Sequence, residues 1–294
     1  MPSRALVISL LLTLATGLTA AEKPSAPPDS AQERACRRET KRLLKRARAG
    51  DVTAQFRLGL VFEHGDGITQ DYALARNWYD KAAQAGYPPA QNNLGTLLAR
   101  GLGGVPDEAG AVRWYLRAAV NGLAAAQNNL AYMYSTGQGT NVDVEEAVRW
   151  YSKAAAQNFP SAEANLARFY SLGRGVAQDP QQAAKLYRQA AEAGFVPAQE
   201  NVARMYAQGR GLPRDLAAAA RWLRRAAERG SATAQNNLGF AYEHGLGVAR
   251  DRPLSLFWYR KAAAQGLAEA QKNVRVMEMQ GTAEKKTSSA ESFR

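Results

Sequence analysis

The chain has 294 residues, 46% of them hydrophobic, which is too apolar for a wholly disordered protein and enough to bury a sizeable core. Its formal net charge of +12 points to acidic partners: nucleic acid, anionic lipid or polysaccharide, or acidic protein. The single cysteine, Cys36, excludes an intramolecular disulfide and leaves an incidental thiol or an intermolecular bridge.

The first 21 residues read as a signal peptide. Arg4 supplies a positive start, residues 5–14 (ALVISLLLTL) form an apolar stretch too short to span a bilayer, and Thr19, Ala20 and Ala21 are small enough for cleavage after Ala20 or Ala21. This order implies export to the periplasm or beyond the cell, and export excludes nucleic acid as a partner. No later segment has 18 consecutive apolar residues. Residues 22–30 (EKPSAPPDS) are rich in proline and serine and read as a disordered leader. Residues 31–50 follow as a basic capping helix. It carries Arg34, Arg37, Arg38, Lys41, Arg42, Lys45, Arg46 and Arg48 against Glu33 and Glu39, a balance of +6. Such a helix is either a solvated cap or a docking patch for an acidic partner or an anionic envelope surface.

From residue 51 the chain repeats itself every 36 residues. Stepping from Ala54 gives Ala90, Ala126, Ala162, Ala198, Ala234 and Ala270. Four residues on stand Leu58, Leu94, Leu130, Leu166, Val202, Leu238 and Val274, and the next position is always small in the six full copies. Each copy continues with a glycine pair, such as Gly137 and Gly139, and then an aspartate: Asp71, Asp107, Asp143, Asp179, Asp215 and Asp251. The apolar residues Ala147, Trp150, Tyr151, Ala154 and Ala155 recur at helical spacing. Each copy is therefore two helices. The first glycine ends helix one, the aspartate caps helix two, and a glycine column (Gly86, Gly122, Gly194, Gly230, Gly266, with Asn158 in the fourth copy) ends helix two. The small column implies close packing of a further helix backbone. A single pair cannot bury its apolar face, whereas stacked copies can. Residues 31–50 match a lone second helix and 268–280 a lone first helix, so half-repeats close both ends of a repeat domain spanning 51–280. The stretch 281–294 has no apolar period and reads as a disordered tail.

These columns resemble the Sel-one-like repeat (SLR) family, relatives of the tetratricopeptide repeats with a longer loop between helices. The best copy is AQNNLGFAYEHGLGVARDRPLSLFWYRKAAAQG, residues 234–266. Leu186 stands where the pattern has Trp, Leu223 where it has Tyr, and Ser255 where it has Ala. The resemblance implies an all-α fold: a right-handed superhelical solenoid of helix–turn–helix repeats, six full copies with half-repeat caps. It also implies a non-enzymatic adaptor or scaffold that works as a monomer and binds a protein or peptide on its concave face, without a cofactor. One branch of the family is rich in cysteine and linked to penicillin binding and hydrolysis; this chain lacks those cysteines, so that activity does not carry over. A peptidoglycan-related envelope hydrolase or binder, and a secreted host-interaction factor, are the alternative functions.

Catalytic chemistry finds little footing. His64 and His244 occupy one column five copies apart, where each ends a first helix and suits its dipole. The aspartates recur in every copy, as caps do. Trp78, Trp114, Trp150, Trp222 and Trp258 fall on the core face, and the Gly-x-Gly loops follow no strand, which a nucleotide site requires. The remaining oddity is the triplet Gln-Asn-Asn at 91, 127 and 235. Its last member belongs to a column of Arg57, Asn93, Asn129, Asn165, Asn201, Asn237 and Asn273, although asparagine is a mediocre helix former. The column is either a structural ladder between helices or, by likeness to the tetratricopeptide groove, a grip on the backbone amides of an extended peptide. Beside it stand Thr96, Tyr132, Arg168, Arg204 and Phe240, which vary from copy to copy as a specificity surface would.

Overall fold

The computed structural model describes residues 31–66 and 68–291, with side-chain surroundings for 38–66 and 68–280. The segments read from the sequence as a signal peptide and a leader, together with Gly67, lie outside the described residues. The side chains of Arg34, Cys36 and Arg37 also fall outside the part whose surroundings are described.

Fourteen helices occur among the described residues, with no strand: α1 (Ala31–Arg48), α2 (Val52–His64), α3 (Tyr72–Gln84), α4 (Pro88–Arg100), α5 (Glu108–Val120), α6 (Ala124–Thr136), α7 (Val144–Ala155), α8 (Pro160–Leu172), α9 (Pro180–Glu192), α10 (Val196–Gln208), α11 (Leu216–Glu228), α12 (Ala232–His244), α13 (Arg252–Ala264) and α14 (Ala268–Glu291). The even-numbered helices α2 to α12 are first helices and the odd-numbered α3 to α13 are second helices. The chain divides into two compact units, one ending at Trp150 and the other beginning at Tyr151, inside α7. In each unit, helices consecutive in the chain pack on one another, both within a pair and from one pair to the next.

The loop chemistry is the same in every copy. All six aspartates accept a hydrogen bond from the backbone N–H three residues on, at 2.7–2.9 Å, satisfying a donor that the first turn of a helix leaves unpaired. Each aspartate also donates its own N–H to a carbonyl of the preceding first helix, for example Asp143 to Tyr134 at 2.9 Å. One residue thus starts the second helix and ties it to the first. The paired glycines divide their work. Gly137 takes the left-handed conformation that closes α6. Gly139 also has positive φ, and a Cβ there would overlap the backbone of Glu108, the first residue of α5. The second glycine is needed because its loop rests on the start of the previous copy's second helix.

The core is made of the repeated columns. In unit one Leu43, Ala47, Ala54, Leu58 and Trp78 form a buried cluster that joins α1, α2 and α3. In unit two Ala226, Ala227, Ala234, Leu238, Tyr242 and Trp258 do the same across α11, α12 and α13. The small column packs differently from the sequence expectation. A Cβ on Gly59 would come within 2.5 Å of the Tyr79 ring, and on Gly95 within 2.8 Å of Tyr115. What first demands a small residue there is the aromatic ring of the same copy's second helix; at Gly239 the backbone carbonyl of Ser255 also comes within 3.1 Å of such a Cβ. At the C-terminal end α14 runs on to Glu291, past the boundary at 280 where the apolar period stops. Alanine, glutamate and lysine carry that helix by propensity, without a repeating apolar face.

Candidate partner-binding face

The first buried polar side chain of the triplet is the glutamine. Gln55, Gln91, Gln127, Gln199 and Gln235 each donate from Nε2 to a carbonyl in the last turn of the preceding second helix, or of α1, at 3.0–3.1 Å: Ala47, Ala83, Ala119, Ala191 and Ala227 respectively. Each of those carbonyls also accepts the N–H of the glycine three residues on, just past its helix, at 3.0–3.1 Å, and the glutamine takes up its remaining capacity. A buried amide donor therefore stitches each copy to the one before it. In the fourth copy the column holds Glu163, only 3% exposed, and burial pushes its carboxyl above the usual range. Its signal in the sequence is plain recurrence: a glutamine directly follows every anchor alanine but one.

The asparagines behave differently in the two units. In unit one they form a chain of hydrogen bonds. Asn128 Nδ2 donates to Asn129 Oδ1 at 3.5 Å, Asn129 Nδ2 to Asn92 Oδ1 at 3.0 Å, and Asn92 Nδ2 to Asn93 Oδ1 at 3.2 Å. Asn93 Nδ2 then donates to Tyr79 Oη at 3.3 Å, and Tyr79 donates to Glu63. Burial and the neighbouring Glu63 carboxylate both push the Tyr79 hydroxyl well up, so it stays a donor. Half-buried Thr96 meets Tyr115 Oη at 3.1 Å, while Tyr132 stands 45% exposed beside this ladder.

Unit two departs from that pattern because Ala164 and Glu200 replace the middle asparagine of the triplet. Asn201 Nδ2 turns back to Pro197 O at 2.8 Å, and Arg204 Nη2 donates to Asn201 Oδ1. Asn165 is half-buried, and Asn237 is exposed with no hydrogen bond among the described residues. The ladder resumes at the far end, where Asn273 Nδ2 donates to Asn236 Oδ1 at 3.0 Å. Arg168 and Arg204 are exposed, and Phe240, 47% exposed, lies 4.3 Å from His244 between ring centroids. Each unit therefore carries some of the candidate residues on its first helices: Asn93, Thr96, Asn129 and Tyr132 in one, and Asn165, Arg168, Asn201, Arg204, Asn237 and Phe240 in the other.

On α1 the charges of Arg38, Lys41, Arg42, Lys45 and Arg48 are exposed and form no ion pair among the described residues, whereas Arg46 is paired with Asp51 at 2.6 Å. The second helices present a different surface. Lys81, Arg117 and Arg225 lie over the rings of Trp78, Trp114 and Trp222 at 4.2–4.6 Å, and a groove of about 460 Å³ runs between α3 and α5 past Arg76, Asp80, Arg113 and Trp114. His64 Nδ1 lies 3.0 Å from Leu60 O, a partner in its own helix. No group of three or more His, Cys, Asp or Glu side chains is placed to hold a metal among the described residues.

Helix pairs of fixed length, capped by one aspartate and joined by two glycines, define an all-α repeat protein. Six consecutive Sel1 repeats match at residues 52–87, 88–123, 124–159, 160–195, 196–231 and 232–267, so the chain belongs to the Sel1 repeat family. A protective antigen present in uropathogenic Escherichia coli strains, displaying an SLR fold, is 36% identical with a TM-score of 0.76; the match covers 83% of this chain and 52% of that one. A Sel1 repeat protein from Oxalobacter formigenes is 34% identical with a TM-score of 0.75, over 82% of this chain and 70% of that one. This chain thus spans about half the length of the antigen. No curated protein matches it.

Proposed function

We propose that this protein is a non-enzymatic scaffold, exported to the periplasm or secreted, that holds a protein partner on the exposed face of its first helices. The observation that carries this reading is one position of the repeat. Five copies place Thr96, Tyr132, Arg168, Arg204 and Phe240 there, while the anchor alanine, the Leu/Val column, the Gly/Ala column and the capping aspartate each hold to one or two residue types. Nothing in the fold calls for exposed rings at Tyr132 and Phe240, and aromatic and arginine side chains on an exposed surface are what interfaces concentrate. In unit one the ladder amides are spent holding helices together, so the neighbouring side chains, more than the asparagines, are left to meet a partner there. Similarity to a chain described as a protective antigen accords with an exported location and keeps secretion in view.

A photo-crosslinking residue placed at Tyr132 or Phe240 tests the reading, with the same residue at Val120 and Leu254, exposed positions on second helices, as controls. Crosslinks to one protein from the first-helix positions alone are expected. Crosslinks from the second-helix positions alone overturn the proposal. A second reading rests on the five unpaired basic side chains of α1: neutralising Arg38, Lys41, Arg42 and Lys45 would then abolish binding that first-helix variants leave intact.

A further inference from the structure

The second-helix tyrosines differ in how their hydroxyls are satisfied. Tyr79 bonds to Glu63 and Asn93, Tyr115 to Thr96, and Tyr259 donates to Glu243 at 2.8 Å. Tyr187 of α9 is 5% exposed, and its hydroxyl has no hydrogen bond among the described residues. The residue that bonds Tyr115 in the second copy is Thr96; the same position is Arg168 in the fourth copy and Arg204 in the fifth. Both arginines are exposed, on α8 and α10, the two helices that pack against α9. Burial pushes the Tyr187 hydroxyl up, and the charges of Arg204 and Arg168 pull it back.

The helices that carry these groups offer no anion to balance them. The one acidic residue of α8 is Glu163, which is buried, and that of α10 is Glu200, which is bonded to Ser231. That of α9 is Glu192, paired with Arg188 at 3.6 Å. Neither Arg168 nor Arg204 has an ion pair among the described residues. Arg204 is instead steadied by Asn201, and Arg168 lies 6.0 Å over the Phe169 ring. Two guanidinium groups without a carboxylate partner and a hydroxyl donor without an acceptor among the described residues fit a carboxylate. Phe240, at the same repeat position on α12, offers an apolar contact further along.

We infer that Arg168, Tyr187 and Arg204 form a carboxylate-binding site for the acidic side chains of an extended segment of a protein partner. This deepens the first-helix reading and rests on it. A carboxylate between the two arginines takes up donors that the fold leaves spare, at a surface where neutral partners would leave them unpaired.

The test uses the purified full chain and a fluorescent peptide of alternating Glu and Ala with an amidated C-terminus, followed by anisotropy at low salt. Its Gln-for-Glu analogue, and a Gln peptide with a free C-terminal carboxylate, serve as comparisons. Arg168→Ala and Arg204→Ala should each weaken the Glu peptide about tenfold or more, as expected for a hydrogen bond to a charged group. Tyr187→Phe should cost it a few-fold, and melting temperatures should stay near that of the parent. Arg113→Ala with Arg221→Ala removes two positive charges from second helices, more than either test variant, and should leave affinity within about twofold, since screening weakens distant charges. Equal losses in that control, equal binding of the Glu and Gln peptides, or binding only through the free C-terminus would each overturn the inference. Crosslinks from Tyr132 and Phe240 decide the broader reading separately: if they form and the arginine variants bind normally, this site fails and that reading stands.

Discussion

At the residue scale, two neighbouring amide columns perform different tasks, and only one was legible. A period of 36 shows which positions share a column but not which column lies against the neighbouring copy, because adjacent helical positions differ by about a third of a turn. The asparagine column drew attention by its unfavourable propensity. The glutamine two positions earlier carries the more deeply buried bond, and its propensity is unremarkable. Gln199→Ala should leave the Ala191 carbonyl with only its backbone partner, the Gly194 N–H at 3.0 Å, and cost about 0.5–1.5 kcal/mol in chemical denaturation. Asn237→Ala, which removes an exposed amide with no bond among the described residues, should stay within about 0.5 kcal/mol; equal costs would mean the two columns do the same work. Glu163 offers a pH test of the same column. Burial raises its carboxyl above the unfolded value, so the fold is least penalised at low pH, where the group is protonated in both states, and loses stability as pH rises through the raised value. Glu163→Gln restores a neutral donor and should stabilise the chain by about 1–3 kcal/mol at pH 7, with the gain shrinking toward pH 4. A gain independent of pH between 4 and 7 would show that the carboxylate carries no burial penalty.

At the element scale, helix boundaries were readable because their signals are local. Aspartate and glycine act on the backbone within three or four residues of themselves, so a single sequence suffices to place them. Asp143→Ala should cost about 0.5–2 kcal/mol, and somewhat more if loss of the cap also loosens the bond from its own N–H to Tyr134. Long-range reasons were hidden. The small column is chiefly a seat for a tyrosine ring, with a helix backbone close by only at Gly239, and the second glycine marks a close approach between copies. The two kinds of glycine should separate on substitution. Gly122 has positive φ, and a Cβ there would meet nothing within 4 Å, so Gly122→Ala should cost only the left-handed penalty of about 1–2 kcal/mol. Gly139→Ala carries that penalty and also pushes the loop off Glu108, adding about 1–3 kcal/mol of overpacking. Thermal melts of the two variants compare them directly, and a Gly139→Ala protein as stable as Gly122→Ala would remove the close approach from the account.

At the scale of the whole molecule, the sequence carried the number of copies and the fold class, because a repeat protein writes its architecture as a period. The proposed partner-facing surface was legible only as a set of variable positions. Whether an exposed arginine is neutralised depends on carboxylates from other helices, and for Arg168 and Arg204 that meant placing Glu163, Glu192 and Glu200 in space. The same neighbour-to-neighbour construction governs how damage spreads. In each unit helices consecutive in the chain pack together, so the stability of a copy depends on its own pair and on the copies beside it. Trp258 tests this near one end. It is buried in the cluster of Ala226, Ala227, Ala234, Leu238 and Tyr242, which belongs to three consecutive helices. Trp258→Ala should cost about 3–5 kcal/mol through the cavity it leaves. Native-state hydrogen exchange should then report faster opening of α11 to α14, with α2 to α5 keeping their parental protection. A cooperative domain with one shared core would lose protection everywhere by the same amount, because every exchange event would pass through one global unfolding. A gradient from α13 outward is what coupling between adjacent copies requires, and a flat loss across all fourteen helices would rule that coupling out.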